Sequence, residues 1–438
     1  MYATNAQAIA ELKTLSLFRD ILEKDPCKAL VKEGGAEPDG AAFLYSLTKA
    51  ARLWTAAPYR FAAHPVEAWL IHSVLTSDNL WSRLIERKVS PGPLLDAMAR
   101  RDLAVLSRFR AHSAALIAPF SPAWPHGHWQ AGAHEPHGPL DDAIARIVAA
   151  FCQAVSWESL LPELAAFIER AGAGIFNSAI GFRWTADAAE PLQPVTSLDD
   201  VRLEHLIGQR EEREKVVRNT ERLVAGLPAH NVLLYGDRGT GKSATVKALA
   251  HRYGPRGLRL VELPKGLIHT LPQLVSELSG RGLSFIIFID DLSFEAAETE
   301  YKELKAFLEG SLASPAPNVR VYATTNRRHL VREEFTERGS GRLGTADDEV
   351  RRQDTVQEKL SLADRFGLTV IFPTPSQQHY LDIVRFLARM YNVEMDDREL
   401  TERALRWAAW QNGRSGRTAK QFIDELRGGS LEDGRLPK

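Results

Sequence analysis

Cysteine is nearly absent from this chain: 438 residues hold two, Cys27 and Cys152. Two thiols so far apart exclude a disulfide framework and point to a reducing compartment. An excess of charge of one sign is missing too. The 55 Lys and Arg nearly cancel the 56 Asp and Glu, leaving a formal net charge of −1, so no global basic field advertises nucleic acid. No run approaches the ~18 uninterrupted apolar residues of a membrane span. The first twenty residues, MYATNAQAIAELKTLSLFRD, lack a basic stretch followed by an apolar core, so no secretory signal is expected. The expectation is a soluble, cytoplasmic protein with no membrane partner. With 44% hydrophobic residues the chain can bury substantial cores, and its length suggests about three domains.

What is present is most specific at Asn231–Ser243, NVLLYGDRGTGKS. A short apolar run leads into Gly236-Asp237-Arg238-Gly239-Thr240-Gly241-Lys242-Ser243, which fits G-x-x-x-x-G-K-[ST] at every fixed position. A buried strand is expected to end at Gly236. The loop's backbone N–H groups would then curl around phosphate oxygens, with the next helix presenting its N-terminus to the same anion. Lys242 would reach the β- and γ-phosphates, and the Ser243 hydroxyl would ligate Mg²⁺. The helix expected over Ala244–Tyr253 stops at Gly254-Pro255. This is a nucleoside-triphosphate site.

Residues 1 to about 118 read as helices, over 6–22, 40–54, 66–85 and 94–116, from apolar residues at three-four spacing. Trp54, Trp69 and Trp81 fall on those faces and read as core. Ser121–Pro139 carries four prolines with His126, His128, His134 and His137. Without cysteine or a helix to fix geometry, it reads as a loop with incidental histidines rather than a metal site. Helices resume over 140–171, a short strand is expected over 179–184, and Thr185–Pro194, rich in Ala, Pro and acid, reads as a linker. From Leu203 strands alternate with helices, at 232–235, 258–263, 284–289, 319–323 and 368–372, which implies a three-layer α/β domain with a parallel sheet. Ser376–Leu426 reads as helices only. The apolar run Ser284–Ile289 ends in Asp290-Asp291. A carboxylate at a strand tip beside a phosphate loop can hold Mg²⁺, the role expected of Asp290, and Asp291 is placed to polarise the attacking water.

On these motifs residues 196–428 resemble the AAA+ ATPases. The resemblance implies that Leu206-Ile207-Gly208-Gln209 packs on adenine, with Ile207 and Gly208 at the base, and that the nucleotide is ATP. It implies that Asn326 is sensor 1. Asp364-Arg365-Phe366-Gly367 resembles the arginine-finger box, so Arg365 would act in trans on a neighbouring subunit's γ-phosphate, within a homo-oligomer. Arg417 looks like sensor 2, ahead of Arg414. Arginine in these places stabilises charge on a transferring phosphoryl group. More narrowly, DDLSFE (Asp290–Glu295), YKELKAFLEG (Tyr301–Gly310), ATTNRRHL (Ala323–Leu330) and EKLSLADRFGL (Glu358–Leu368) resemble the domain-of-unknown-function family numbered 815. Its Asp-Asp pair stands where most AAA+ proteins have Asp-Glu, with Glu295 as the alternative base.

The expected organisation is a helical N-terminal domain over 1–184, a linker over 185–200, an α/β ATPase core over 201–374 and a helical lid over 375–438. Thr336–Asp354 reads as a mobile loop. The pore-loop tripeptide of protein-threading members is lacking, with Leu267-Ile268-His269 a poor substitute. Arg327-Arg328-His329 suits a subunit interface, and no helix-turn-helix, zinc finger or basic stripe is evident. Three functions stay open: an ATP-hydrolysing oligomer that remodels a protein partner held by the helical domain, a slowly hydrolysing nucleotide-switched scaffold, and a nucleic-acid-dependent ATPase, in that order.

Overall fold

A computed structural model describes residues 9–24, 64–117, 140–187, 190–195, 198–292, 299–309, 316–326, 365–411 and 413–429, with residues 7, 28 and 62. The chain forms two compact units. One comprises Met1–Ile180 together with Gly254–Leu258 and Arg281–Leu283; the other comprises Gly181–Tyr253, Arg259–Gly280 and Ser284–Lys438.

The first unit is helical: α1 Pro65–Leu75, α2 Leu80–Glu86, α3 Gly92–Ile117, α4 Asp141–Gln153 and α5 Leu161–Ala171. One helix was expected over 66–85, but the chain breaks before Asn79. The Asn79 side chain accepts from Ser82 N while the Ser82 hydroxyl accepts from Asn79 N, a reciprocal cap that starts a new helix. The helices expected over 140–171 are two, separated by the short 3-10 turn Trp157–Leu160. Trp69 and Trp81 are buried, as their spacing predicts; Trp54 lies outside the described residues, as do Cys27 and the four histidines of 121–139. The indole of buried Trp81 donates to Asp96 at 2.8 Å, which satisfies its polar atom. Asp102 is fully buried and accepts from the backbone N–H groups of Ser16, Leu17 and Phe18.

Two histidines of this unit give it an acid limit. His64 caps α1, its Nδ1 accepting from Glu67 N at 3.1 Å, so that nitrogen must stay unprotonated. Burial, then the Arg110 charge, lowers His64 to about 4; burial, then Lys24, lowers His72 to about 4. Unfolded histidine titrates near 6.5. Between those values the unfolded chain binds more protons, so stability falls as pH drops from about 6.5 to 4, by up to about 3 kcal/mol per histidine. The urea midpoint of this unit should fall between pH 7 and pH 5, and His64→Asn/His72→Gln should flatten that slope.

The second unit holds a seven-stranded sheet: β1 Gly181–Trp184, β2 Leu192–Pro194, β3 Val232–Gly236, β4 Leu258–Glu262, β5 Ser284–Ile289, β6 Val319–Thr325 and β7 Leu368–Phe372. Its order is β2-β1-β4-β5-β6-β3-β7, and β1–β2 is antiparallel where β1–β4, β5–β6, β3–β6 and β3–β7 are parallel. Helices α6 Arg210–Val224, α7 Lys242–Tyr253, α8 Leu271–Leu278 and α9 Thr299–Glu309 accompany it. The central strands β3, β5 and β6 are buried nearly throughout, which is why they read as unbroken apolar runs. The mostly parallel sheet with its accompanying helices is an α/β arrangement, and the loop-bearing strand β3 lies between β6 and β7.

The expected linker differs from what is found. Leu192–Pro194 pairs antiparallel with β1, and β1 pairs parallel with β4, so β1 and β2 extend the sheet at its edge. A proline is tolerated there because an edge strand has one side without a ladder. Three further helices, α10 Gln377–Met390, α11 Asp397–Trp410 and α12 Gly416–Gly429, share a core of Tyr380, Val384, Leu400, Ala404, Phe422 and Ile423. Their three-four spacing is the expected pattern. No helix among the described residues is long and apolar enough to cross a membrane.

Candidate functional site

Strand β3 runs out at Gly236, and Asp237–Gly241 turns into α7, whose first residue is Lys242. Gly239 and Gly241 sit at φ +74° and +91°, a region costly for side chains. Around a Cβ built on Gly241 there is open space, whereas one on Gly239 would press on Ser415. Left-handed glycines running into a helix start make a nest of backbone N–H groups, the geometry of an anion cradle. Arg238 is exposed at the rim. Thr240 is buried and its hydroxyl donates to the Asp237 carbonyl at 2.9 Å.

Lys242 is only 4% exposed. Its Nζ donates to the carbonyls of Gly236 and Asp237 at 2.8 and 2.7 Å, folding back over the loop. Burial pushes the ammonium down to about 8, against the opposing pull of Asp237, Asp290 and Asp291. A phosphate anion would restore the charge that burial disfavours.

Beside the loop, Asp290 follows β5 directly. Its Oδ1 accepts from the Ser243 hydroxyl at 2.6 Å and from the Thr324 hydroxyl at 2.5 Å. A hydroxyl and a carboxylate at this separation are the hard oxygen donors that Mg²⁺ takes, with waters completing its shell. The donor set therefore fits a magnesium ion. Asp291 adopts φ +55°, uncommon for a residue other than glycine. Its N–H donates to Thr324 Oγ1 at 2.8 Å, its Oδ1 accepts from Asn326 Nδ2, and Lys265 Nζ lies 3.6 Å from its Oδ2. Sequence reading brought Asp290, Asp291 and Asn326 together, and so does the fold. It gave no role to Thr324 or Lys265, whose contacts span 33 and 26 positions of sequence and leave no local pattern.

The segment before α6 meets α10. His379 Nε2 lies 2.8 Å from the Ile207 carbonyl; since a carbonyl only accepts, that nitrogen carries the hydrogen. A Cβ on Gly208 would strike the His379 ring. Gln209 donates to the Pro373 carbonyl at 2.7 Å, and Thr374 donates its hydroxyl to Asp237. From α12, Gly416 N donates to the Gly239 carbonyl at 2.9 Å, and Arg417 Cβ lies 3.3 Å from the Cβ position of Gly239. Arg417 is thus an arginine whose Cβ is found against the loop.

Arg365 lies elsewhere. It is exposed, followed by fully buried Phe366 and by Gly367, which turns against His230. The β3–β7 register pairs Val232 with Leu368 and Gly236 with Phe372. Arg365 therefore sits before the strand end opposite the phosphate loop, at least four strand residues away, or about 13 Å at ~3.3 Å per residue. Ile268, central to the weak pore-loop substitute, is buried. Glu295, Asp364, Arg327-Arg328-His329 and the loop 336–354 lie outside the described residues. Among the described residues no cluster of three or more metal-ligating side chains occurs.

The family described as "Protein of unknown function (DUF815)" matches residues 177–430. No curated protein matches the chain. Similar solved structures include the RuvB Holliday junction branch migration motor of Thermotoga maritima, at 16% identity and TM-score 0.29, covering 52% of this chain and 72% of that one. Two point variants of Thermotoga maritima RuvB are 15% identical, with TM-scores of 0.32 and 0.33; each alignment covers 52% of this chain, and 72% and 73% of theirs.

Proposed function

The chain belongs to the DUF815 family of proteins of unknown function, and from that premise and the geometry of its site we propose that it binds ATP with Mg²⁺ and hydrolyses it. The observation that carries this reading is the meeting of Lys242, Ser243, Asp290, Asp291 and Asn326 at the mouth of one phosphate cradle. In this reading the backbone of Gly236–Ser243, with Asp237, Arg238 and Thr240 in the loop, holds the phosphates. Ser243 and Asp290 would hold Mg²⁺, which when bound neutralises charge between the β- and γ-phosphates. Ile207 and Gly208 would face the base. Asp291 takes a proton from the attacking water, Asn326 orients it, and Arg417 steadies the phosphates from the lid.

Arg365 would complete a neighbour's site. Its distance from its own loop supports action in trans, in a homo-oligomer whose helical N-terminal domain engages a protein partner in the cytoplasm. The division into that domain, an ATPase core and a lid belongs to the same proposal. A second reading is favoured by one contact. With both Asp291 oxygens engaged, by Asn326 and Lys265, the base is not at liberty, which suits a slowly turning nucleotide switch.

ATPase rate against protein concentration tests the assembly. Turnover per chain should rise with concentration, and an equimolar mix of Lys242→Ala and Arg365→Ala should regain activity that neither has alone. A flat rate with Arg365→Ala unimpaired would remove the finger assignment and leave the switch.

A further inference from the structure

We infer that Thr324 is a positioning residue that sets both acids of the site through a single hydroxyl; the inference rests on the proposed Mg²⁺–nucleotide reading. Thr324 is 1% exposed. A hydroxyl offers one donor and two acceptor lone pairs, and both capacities are used here. It donates to Asp290 Oδ1 at 2.5 Å and accepts from Asp291 N at 2.8 Å. The Thr324 carbonyl accepts in turn from Leu292 N at 2.7 Å. One residue of β6 thereby holds the whole turn 290–292 that follows β5.

Two consequences follow. Both hydroxyl donors, from Ser243 and Thr324, fall on the same oxygen of Asp290, which turns Oδ2 to a cation or its water. The N–H bond of Asp291 stabilises its left-handed backbone, a conformation disfavoured in isolation, and this conformation aims the carboxylate at Asn326 and Lys265. Without the hydroxyl the turn can relax to ordinary φ and carry the base away. A misplacement near 1 Å is enough to cost about 10²-fold in rate. Serine keeps the same donor and acceptor capacities at this position, whereas valine keeps the shape and removes both.

The neighbouring residue supplies an internal control. Thr325 is also fully buried, on the opposite face of the strand, and its Oγ1 finds no hydrogen-bond partner among the described residues. Two adjacent threonines share type and burial, and only one hydroxyl is used.

The test compares T324V, T324S and T325V with wild type in two measurements: steady-state ATP turnover, and Mg²⁺ titration of binding to a fluorescent ATP analogue. T324V should lower kcat about tenfold to a hundredfold with ATP KM within about threefold, and should raise the Mg²⁺ needed for half-maximal binding. T324S should stay within about threefold of wild type, and T325V should match it. Should the valine variant not fold, T324A carries the same comparison. Wild-type kcat and Mg²⁺ response in T324V, or a T324S loss as deep as that of T324V, would overturn the inference. Wild type that binds Mg²⁺–nucleotide without turnover removes the hydrolysis reading alone, and the Mg²⁺ titration still decides on Thr324. Wild type that binds no nucleotide removes the site reading, and the inference falls with it.

Discussion

Lys242→Ala should cut ATP turnover about 10²- to 10³-fold, with a comparable loss of nucleotide affinity in equilibrium binding. The side chain is buried and its ammonium donates to the carbonyls of Gly236 and Asp237 and to the Thr240 hydroxyl. Alanine removes that buried charge, and the exposed Arg238 and Arg417 do not take its place. The same burial gives a pH signature. In the nucleotide-free chain the ammonium titrates at about 8; beside phosphate its charged form is favoured and the pKa rises. Below pH 8 the lysine is protonated in both states and affinity is flat with respect to this group. Above pH 8 binding must take up a proton, so affinity should fall by up to about tenfold per pH unit until the bound-state pKa is reached. The variant should lack that slope. Its nucleotide-free stability should barely fall, because burial disfavours the charge it removes. A Lys242→Ala chain that binds the nucleotide as wild type does would exclude the cradle as the phosphate site.

Much of this site is legible in the sequence because its parts are short-range. The phosphate loop is one run of eight residues. The strand ending in Asp290-Asp291 announces itself by six consecutive residues without a charge, as a strand covered on both faces must. Contacts between distant segments are silent by comparison. Lys265, Thr324, Thr374 and His379 each act on a residue far away in sequence, and nothing beside them marks it. The strand expected over 179–184 is found at 181–184, but the one at 192–194 is obscured by the Ala, Pro and acid around it, since an edge strand of three residues needs no apolar pattern. Arg365 was suggested by resemblance alone; only the β3–β7 register reveals that it lies away from its own loop's end of the sheet. Nor could a linear division of domains find Gly254–Leu258 and Arg281–Leu283 within the helical unit. What places one of those segments there is a buried ion pair.

Glu86→Ala should destabilise that helical unit by about 3–5 kcal/mol. Glu86 and Arg281 are nearly inaccessible, with side chains 1% and 7% exposed. The guanidinium meets the carboxylate through two nitrogens, at 3.0 and 2.7 Å, and the remaining lone pairs accept from Ala173 N at 2.7 Å and Gly282 N at 2.8 Å. Arg281 also reaches Asp78 and the Ala173 carbonyl, and packs 4.8 Å from the centroid of the Phe176 ring. Truncating the acid orphans two backbone N–H groups and half of a buried cation at once, which is why the loss should far exceed that of a surface pair such as Lys88–Glu169, worth about 0–1 kcal/mol. The asymmetry is itself a prediction. Glu86→Leu/Arg281→Met removes both charges together and should cost less than the sum of the single changes, with a coupling of at least about 1.5 kcal/mol in a double-mutant cycle. Hydrogen exchange localises the effect, because the amides of Ala173 and Gly282 should lose protection in Glu86→Ala before the rest of the unit opens. Additive single losses, or unchanged exchange at those two amides, would mean that packing of Leu283 and Phe176 holds this segment and the ion pair merely accompanies it.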